Sequence, residues 1–340
     1  MIDFRYHLVS IVAVFLALAV GIVVGATALK PSTLRVLDSQ SRREQQQISK
    51  QRTTITGLQD QLNADRAFAQ ANAPHALDNL LAGQRAVLVT APGADATTIS
   101  GVTAALKQAG AQVTGQAELQ PAFFGTSATT QNSLEVLAQQ VAPPGVTLRN
   151  QTAQPDAQIL GQLEAAQVLA PALVTKSAAD LPANQTKAIL DGFARQQFVQ
   201  IHPAARSRVL SQATLAVVLI PVAPPASGAS DPANLGLISL AEQLRLSSLG
   251  VVVAGSLPGS GSGSAIDELI NGNPGIQLST VDDADTEVGQ IEVAQALSFL
   301  LAGHKPGAYG VLAKAAPSPA PTPTATPTPT RSPAKTKSNG

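Results

Sequence analysis

Cysteine and tryptophan are absent from the 340 residues, and the only methionine is Met1. That excludes disulfides, thiolate metal sites and cysteine nucleophiles. A chain without thiols is indifferent to redox poise, so the absence names no compartment. With only four histidines, His7, His75, His202 and His304, ligands for a soft metal are nearly missing. Charge is scarce too: 13% of residues are charged, and 22 basic residues balance 22 acidic ones. No net field steers such a chain toward nucleic acid. Aromatics make up 3%, scattered and without an interleaved basic stripe, so no nucleic-acid partner is expected. The chain carries no G-x-S-x-G, H-E-x-x-H or C-x-x-C, and it reads as non-enzymatic.

What is abundant is apolar sequence. Residues 8–29 hold no charge. As a helix, these 22 residues span about 33 Å, close to the ~30 Å hydrocarbon thickness of a bilayer. The run exceeds a signal-peptide core of about 7–15 residues, so residues 1–31 read as an uncleaved signal-anchor helix; Ala26-Thr27-Ala28 is the site a cleaved leader would use. Ala13, Ala17, Gly21 and Gly25 recur every fourth position and include a GxxxG. Such a stripe lets two membrane helices approach closely, making it a candidate dimer contact.

Residues 32–73 change character, becoming rich in Gln, Arg, Ser and Thr. A heptad places Leu34, Ser41, Ile48, Ile55, Leu62 and Ala69 at one seam position, and Leu37, Glu44, Gln51, Leu58 and Asp65 at the other. The apolar members predict a coiled-coil stalk and a homodimer; the polar ones weaken the zipper and set register. A single solvated helix is the alternative. Pro74 is expected to end the helix.

Residues 84–312 alternate between strand and helix patterns. Strands are expected at Val87–Thr90, from Gln112, and near 198–201, 215–220, 251–254 and 276–280. Helices are expected at 96–109 and near 131–141, 157–167, 183–196, 234–248 and 288–302. Strands rich in Val, Leu and Ile between helices predict a mostly parallel, doubly wound α/β domain. Residues 313–340 begin with alternating Pro and Thr and are expected to form a disordered tail favouring polyproline II. Charge after Lys30 argues for a cytoplasmic domain. A Ser/Thr-Pro tract that often carries sugars outside the cytoplasm argues the reverse, and the domain is expected to be extracytoplasmic.

Two stretches invite chemistry. Gly255, Gly259, Gly261 and Gly263 follow a strand and precede a helix, but the stretch lacks the G-K-[ST] of a phosphate loop, and a flexible loop is the first reading. Asp282, Asp283, Asp285 and Glu287 follow a strand at the sheet edge where open α/β folds bind ligands. Capping of the next helix is their first role. The three aspartates, with His304, are also candidate metal ligands. His202 and His304 stand at element ends, where either could pair with an acid in space.

The opening "MIDFRYHLVSIVAVFLALAVGIVVG" resembles that of the actinobacterial MctB-like copper transport proteins. So does the block "LSTVDDADTEVGQIEVAQALSFLLAGHKPGAYG", with "RAVLVTAPGAD" where that family has its first strand. The resemblance covers about residues 1–311. It implies a membrane helix, a coiled-coil stretch and an α/β domain in the cell envelope. It also implies copper homeostasis, with a copper ion as the one metal. A SteB-like branch implies instead a scaffold for cell separation, whose coiled coil contacts regulators of peptidoglycan hydrolases. No catalytic residues come with the resemblance.

Overall fold

The computed structural model describes residues 4–312 except 144–145, 147, 149–157, 178–180, 205–206, 208, 224–227, 229–230 and 273–276; for residues 4–5, 27–39 and 258 only the backbone is described. The expected tail at 313–340 lies outside the described residues, as do the side chains of Leu34 and Leu37. The chain divides into two compact units, Met1–Asp65 and Arg66–Gly340.

One helix, α1 (Phe4–Leu77), carries the first unit and begins the second. Its segment Tyr6–Ala26 is long and apolar enough to cross a membrane, and none of it is buried. Pro74 does not end the helix, contrary to the sequence expectation. Proline removes one N–H and crowds the preceding turn. Here the last turn is held from outside, because Leu77 and the following Leu81 are buried in the second unit's core.

The second unit is built on a seven-stranded sheet, in the order β3-β2-β1-β4-β5-β6-β7. The strands are β1 (Arg85–Thr90), β2 (Gln112–Leu119), β3 (Val199–Pro203), β4 (Leu215–Leu219), β5 (Gly250–Ala254), β6 (Ser279–Val281) and β7 (Ala308–Tyr309). All neighbouring pairs are parallel except β2 with β3, which is antiparallel. The helices between them are α2 (Ala96–Gln108), α3 (Ala128–Val141), α4 (Leu160–Leu173), α5 (Ala183–Arg195), α6 (Pro232–Ser247), the short α7 (Leu257–Ser260) and α8 (Ala265–Asp267), and α9 (Glu287–Leu301). The sequence therefore located the strands and helices closely, but not the reversal of β3 or the strand β7.

Successive strand residues point to opposite faces, and the core divides accordingly. Val87, Val89, Ala216, Val218, Val251 and Val253 face a cluster with α3, α4, α5 and α6. Ala86, Leu88, Leu215, Val217, Val252 and Ala254 face a second cluster with the end of α1, α2 and α9. Helix α4 is buried nearly all round and packs against α3, α5 and α6. A helix that is apolar on every side belongs inside a fold. Between β2 and β3 the described α-helices are α3, α4 and α5, which contribute to the first cluster and not to the second. On the opposite side β2 and β3 carry polar residues, Gln116, Glu118, Gln200 and His202, none of them fully buried.

Candidate functional site

The acidic run sits where expected, between β6 and α9, but its carboxylates turn in different directions. Asp282 is fully buried. Its Oδ1 accepts the Val311 N–H at 2.8 Å and its Oδ2 the Leu312 N–H at 3.0 Å. Gly310 lies against this carboxylate at φ 114°, a backbone conformation and a spacing that a side chain would spoil. Asp285 is exposed, and its Oδ1 accepts the Leu257 N–H at 3.3 Å.

Asp283 points inward. Burial, then Glu292, then Asp282 push its carboxyl up to about 6, while the Thr286 hydroxyl donates to its Oδ2 at 3.3 Å. Its Oδ1 has no partner among the described residues. Burial and then Glu292 also push the Tyr309 phenol up. The N-cap of α9 is Thr286, whose hydroxyl accepts the Gly289 N–H, and not one of the aspartates. Glu287 is in the first turn, where its charge meets the positive end of the helix dipole. There it also takes an ion pair from Arg66 (3.6 Å) and a hydrogen bond from Gln70 (3.0 Å). His304 follows α9. Its ring stacks on Phe299 with centroids 3.9 Å apart, and its backbone N–H donates to the Phe299 carbonyl. Among the described residues, no group of three or more His, Cys, Asp or Glu side chains is placed to hold a metal ion.

The glycine-rich loop is spent on packing. A side chain at Gly259 would strike the Pro221 carbonyl, and one at Gly255 would strike Ile220. The Gly263 N–H donates to Asp267 Oδ2 at 2.9 Å, while the Asp267 N–H donates to Ser264 Oγ at 3.0 Å. This reciprocal cap occupies the amide a phosphate would need. At the reversal of strand order the backbones are likewise zipped: Ala91 N–H donates to Leu219 and Val222 N–H to Gly93.

Sequence reasoning missed the polar site one strand further out. A cavity of ≈ 520 Å³ opens at the carboxyl end of β1 and β2, bounded by the first turn of α2. Thr90, Gln116, Glu118 and His202 contribute to its lining. His202 Nε2 lies 3.1 Å from Glu118 Oε2, and Gln116 Nε2 donates to Thr90 Oγ1 at 3.0 Å. The antiparallel register puts His202 opposite Gln116 and Gln200 opposite Glu118, so all four side chains share one face. Gly115 permits the approach. Its φ is 147°, and a side chain there would strike the His202 carbonyl. Gln116 and Glu118, alternating with the buried Gly115, Ala117 and Leu119, were the available signal for a polar sheet face. A larger cavity of ≈ 790 Å³ lies on the other side of β3, where Lys187 and Asp191 on its rim pair with each other.

In the first unit, Ala13, Ala17 and Gly21 are exposed, and no atom lies within 4 Å of where a Gly21 or Gly25 side chain would begin. The seam residues Ile48, Ile55, Leu58 and Leu62 are 48–61% exposed.

Residues 1–320 match the family described as "Copper transport outer membrane protein, MctB". The chain is 28% identical over 319 residues to the copper transporter MctB of Mycobacterium tuberculosis, covering 91% of this chain and 96% of that one. The MctB of Mycobacterium bovis matches to the same extent. That of Mycobacterium leprae is 28% identical over 313 residues, covering 92% and 96%.

Proposed function

Because the chain belongs to the MctB family of copper transport outer membrane proteins, we propose that it acts in copper transport at the cell envelope, without catalysis and with copper as cargo. The observation that carries this reading is the extent of the match. It runs from residue 1 to 320 and so includes the apolar helix, the rest of α1 and the α/β unit together. The ligand chemistry refines it. Cu(I) is held by thiolate and thioether sulfur, and this chain offers only Met1. A resident Cu(I) store is therefore not its role. Among the described residues one helix is long and apolar enough to cross a membrane, and one such helix cannot enclose a pore, since a lipid-facing span must satisfy its own backbone and leaves no lumen. Transport then requires assembly with further chains.

The exposed seam on α1 supports a second copy as the first partner. Four large apolar side chains at heptad spacing lose water contact when two such helices pair. In this reading the Ala/Gly stripe pairs in the membrane, the seam pairs beyond it, and the α/β unit lies outside the cytoplasm. The same seam favours a second reading, an anchored dimeric scaffold whose coiled coil binds an envelope protein.

The test is cellular copper. Cells lacking this chain should hold more copper by mass spectrometry and grow less at elevated copper, and the wild-type chain should restore both. Unchanged copper in the deletion strain overturns the transport reading in favour of the scaffold. Gly21→Leu with Gly25→Leu should lower cross-linked dimer in membranes.

A further inference from the structure

We infer that Glu118 and His202 form a binding site for a borderline divalent cation, with Cu(II) as the ion taken. The inference rests on the copper reading for the choice of ion and on the geometry for the place.

The four histidines differ in their surroundings. His7 lies on the apolar segment of α1, and His75 is exposed in the last turn of that helix. His304 is stacked on Phe299. Among the described residues, His202 alone of the four pairs with a carboxylate, Glu118, at 3.1 Å. The pair lines a cavity of ≈ 520 Å³ that also presents the Gln116 amide and the Thr90 hydroxyl. Two donors about 2.0–2.1 Å from one ion are about 2.9 Å apart at a right angle and about 3.3 Å apart at a tetrahedral angle. The Nε2–Oε2 separation falls between these values, so an ion fits in place of the hydrogen-bonding proton with little movement of either side chain. One imidazole nitrogen and one carboxylate oxygen, completed by water, make a donor set for Cu(II) or Zn(II) and a poor one for Cu(I).

The site is rigid below and open above. Both residues stand on paired strands, and the register that joins them depends on Gly115. Both side chains are about 40% exposed, at 43% for His202 and 39% for Glu118. Water and a receiving ligand therefore have access to the ion. With only two protein donors the ion exchanges readily, which suits cargo that must be passed on.

The experiment uses the untagged full-length chain in detergent, titrated with Cu(II) and followed by electron paramagnetic resonance. The wild type should bind one equivalent with coupling to one nitrogen. His202→Ala should abolish that signal, Glu118→Gln should weaken binding at least tenfold, and His75→Ala should change neither. Circular dichroism should show each variant folded. Absence of Cu(II) binding, or binding equal in wild type and His202→Ala, overturns the site. The same variants are read in the copper-accumulation assay. If binding is lost in His202→Ala while the deletion strain holds normal copper, the site stands and the transport reading falls. If the wild type restores low copper but Cu(II) binding ignores His202, the site falls and the transport reading stands.

Discussion

The two faces of the sheet are covered very differently. On one side α3, α4, α5 and α6 contribute to a continuous core reaching from β3 to β5. On the other, the end of α1, α2 and α9 cover the centre but leave the polar residues of β2 and β3 without a helix. The cause lies in chain order. The α-helices described between β2 and β3, α3, α4 and α5, all contribute to the first cluster and none to the second. A parallel sheet is usually buried on both faces. Here the antiparallel edge strand relaxes that requirement, and the exposed face becomes a place for polar chemistry rather than packing.

Substitutions should separate the two faces by size of effect. The largest loss is expected from Leu169→Ala in α4, a fully buried side chain on the covered face. It should cost about 3 kcal/mol, measured by urea denaturation of the full chain, because removing buried methylenes leaves a cavity. Asp283→Asn, in the turn between β6 and α9, comes next, and its effect depends on pH. The Asp283 carboxyl holds its proton up to about 6 when folded, against 3.8 for the free group. Between those values the folded protein binds the extra proton. The group's contribution to stability is thus present at low pH and lost as pH rises through that window. The variant should be about 2 kcal/mol more stable than wild type at pH 7 and lose that advantage near pH 4, read as two denaturation midpoints. An unchanged difference across pH would show that another group carries the titration.

A smaller gain is expected at Gln162, buried in α4 against Gly236. Both its amide atoms lack partners among the described residues. Gln162→Met replaces an unsatisfied amide with an apolar chain of similar length and should add about 1 kcal/mol, raising the thermal midpoint. The smallest effect belongs to the bare face. Gln116→Ala removes one partly buried hydrogen bond to Thr90 and should cost about 0.5 kcal/mol. A loss as large as that of Leu169→Ala would mean that the polar face supports the fold, and the contrast between the faces would fail.

Much of this architecture was legible in the sequence, and the reason is local. Strand runs such as "AVLV" and "LAVVL" are set by neighbours in the chain. The caps of α2 and α3, Asp95 and Ser127, are local too, although the sequence reading did not single them out. What escaped depends on distant partners. Pro74 was read as a stop because burial of Leu77 cannot be seen from its own turn. The carboxylates after β6 were legible as residue types, yet Asp282 serves Val311 and Leu312, whose approach depends on β7. Glu118 and His202 are 84 residues apart, joined only by the reversed edge strand. His202 was singled out as a residue that could find an acid, but no pattern in the chain names Glu118.

The Asp282 clamp has a consequence for the timing of synthesis. Its two backbone partners lie 29 and 30 residues later, at the end of the described domain. When Asp282 leaves the ribosome or a membrane pore, those amides have not yet emerged. A carboxylate destined for complete burial must wait in water until they do, because desolvating it without its donors is costly. The sheet's far edge therefore closes last. A chain interrupted before Val311 would keep its first strands and helices but leave this carboxylate without two of its hydrogen bonds, a built-in mark of unfinished synthesis.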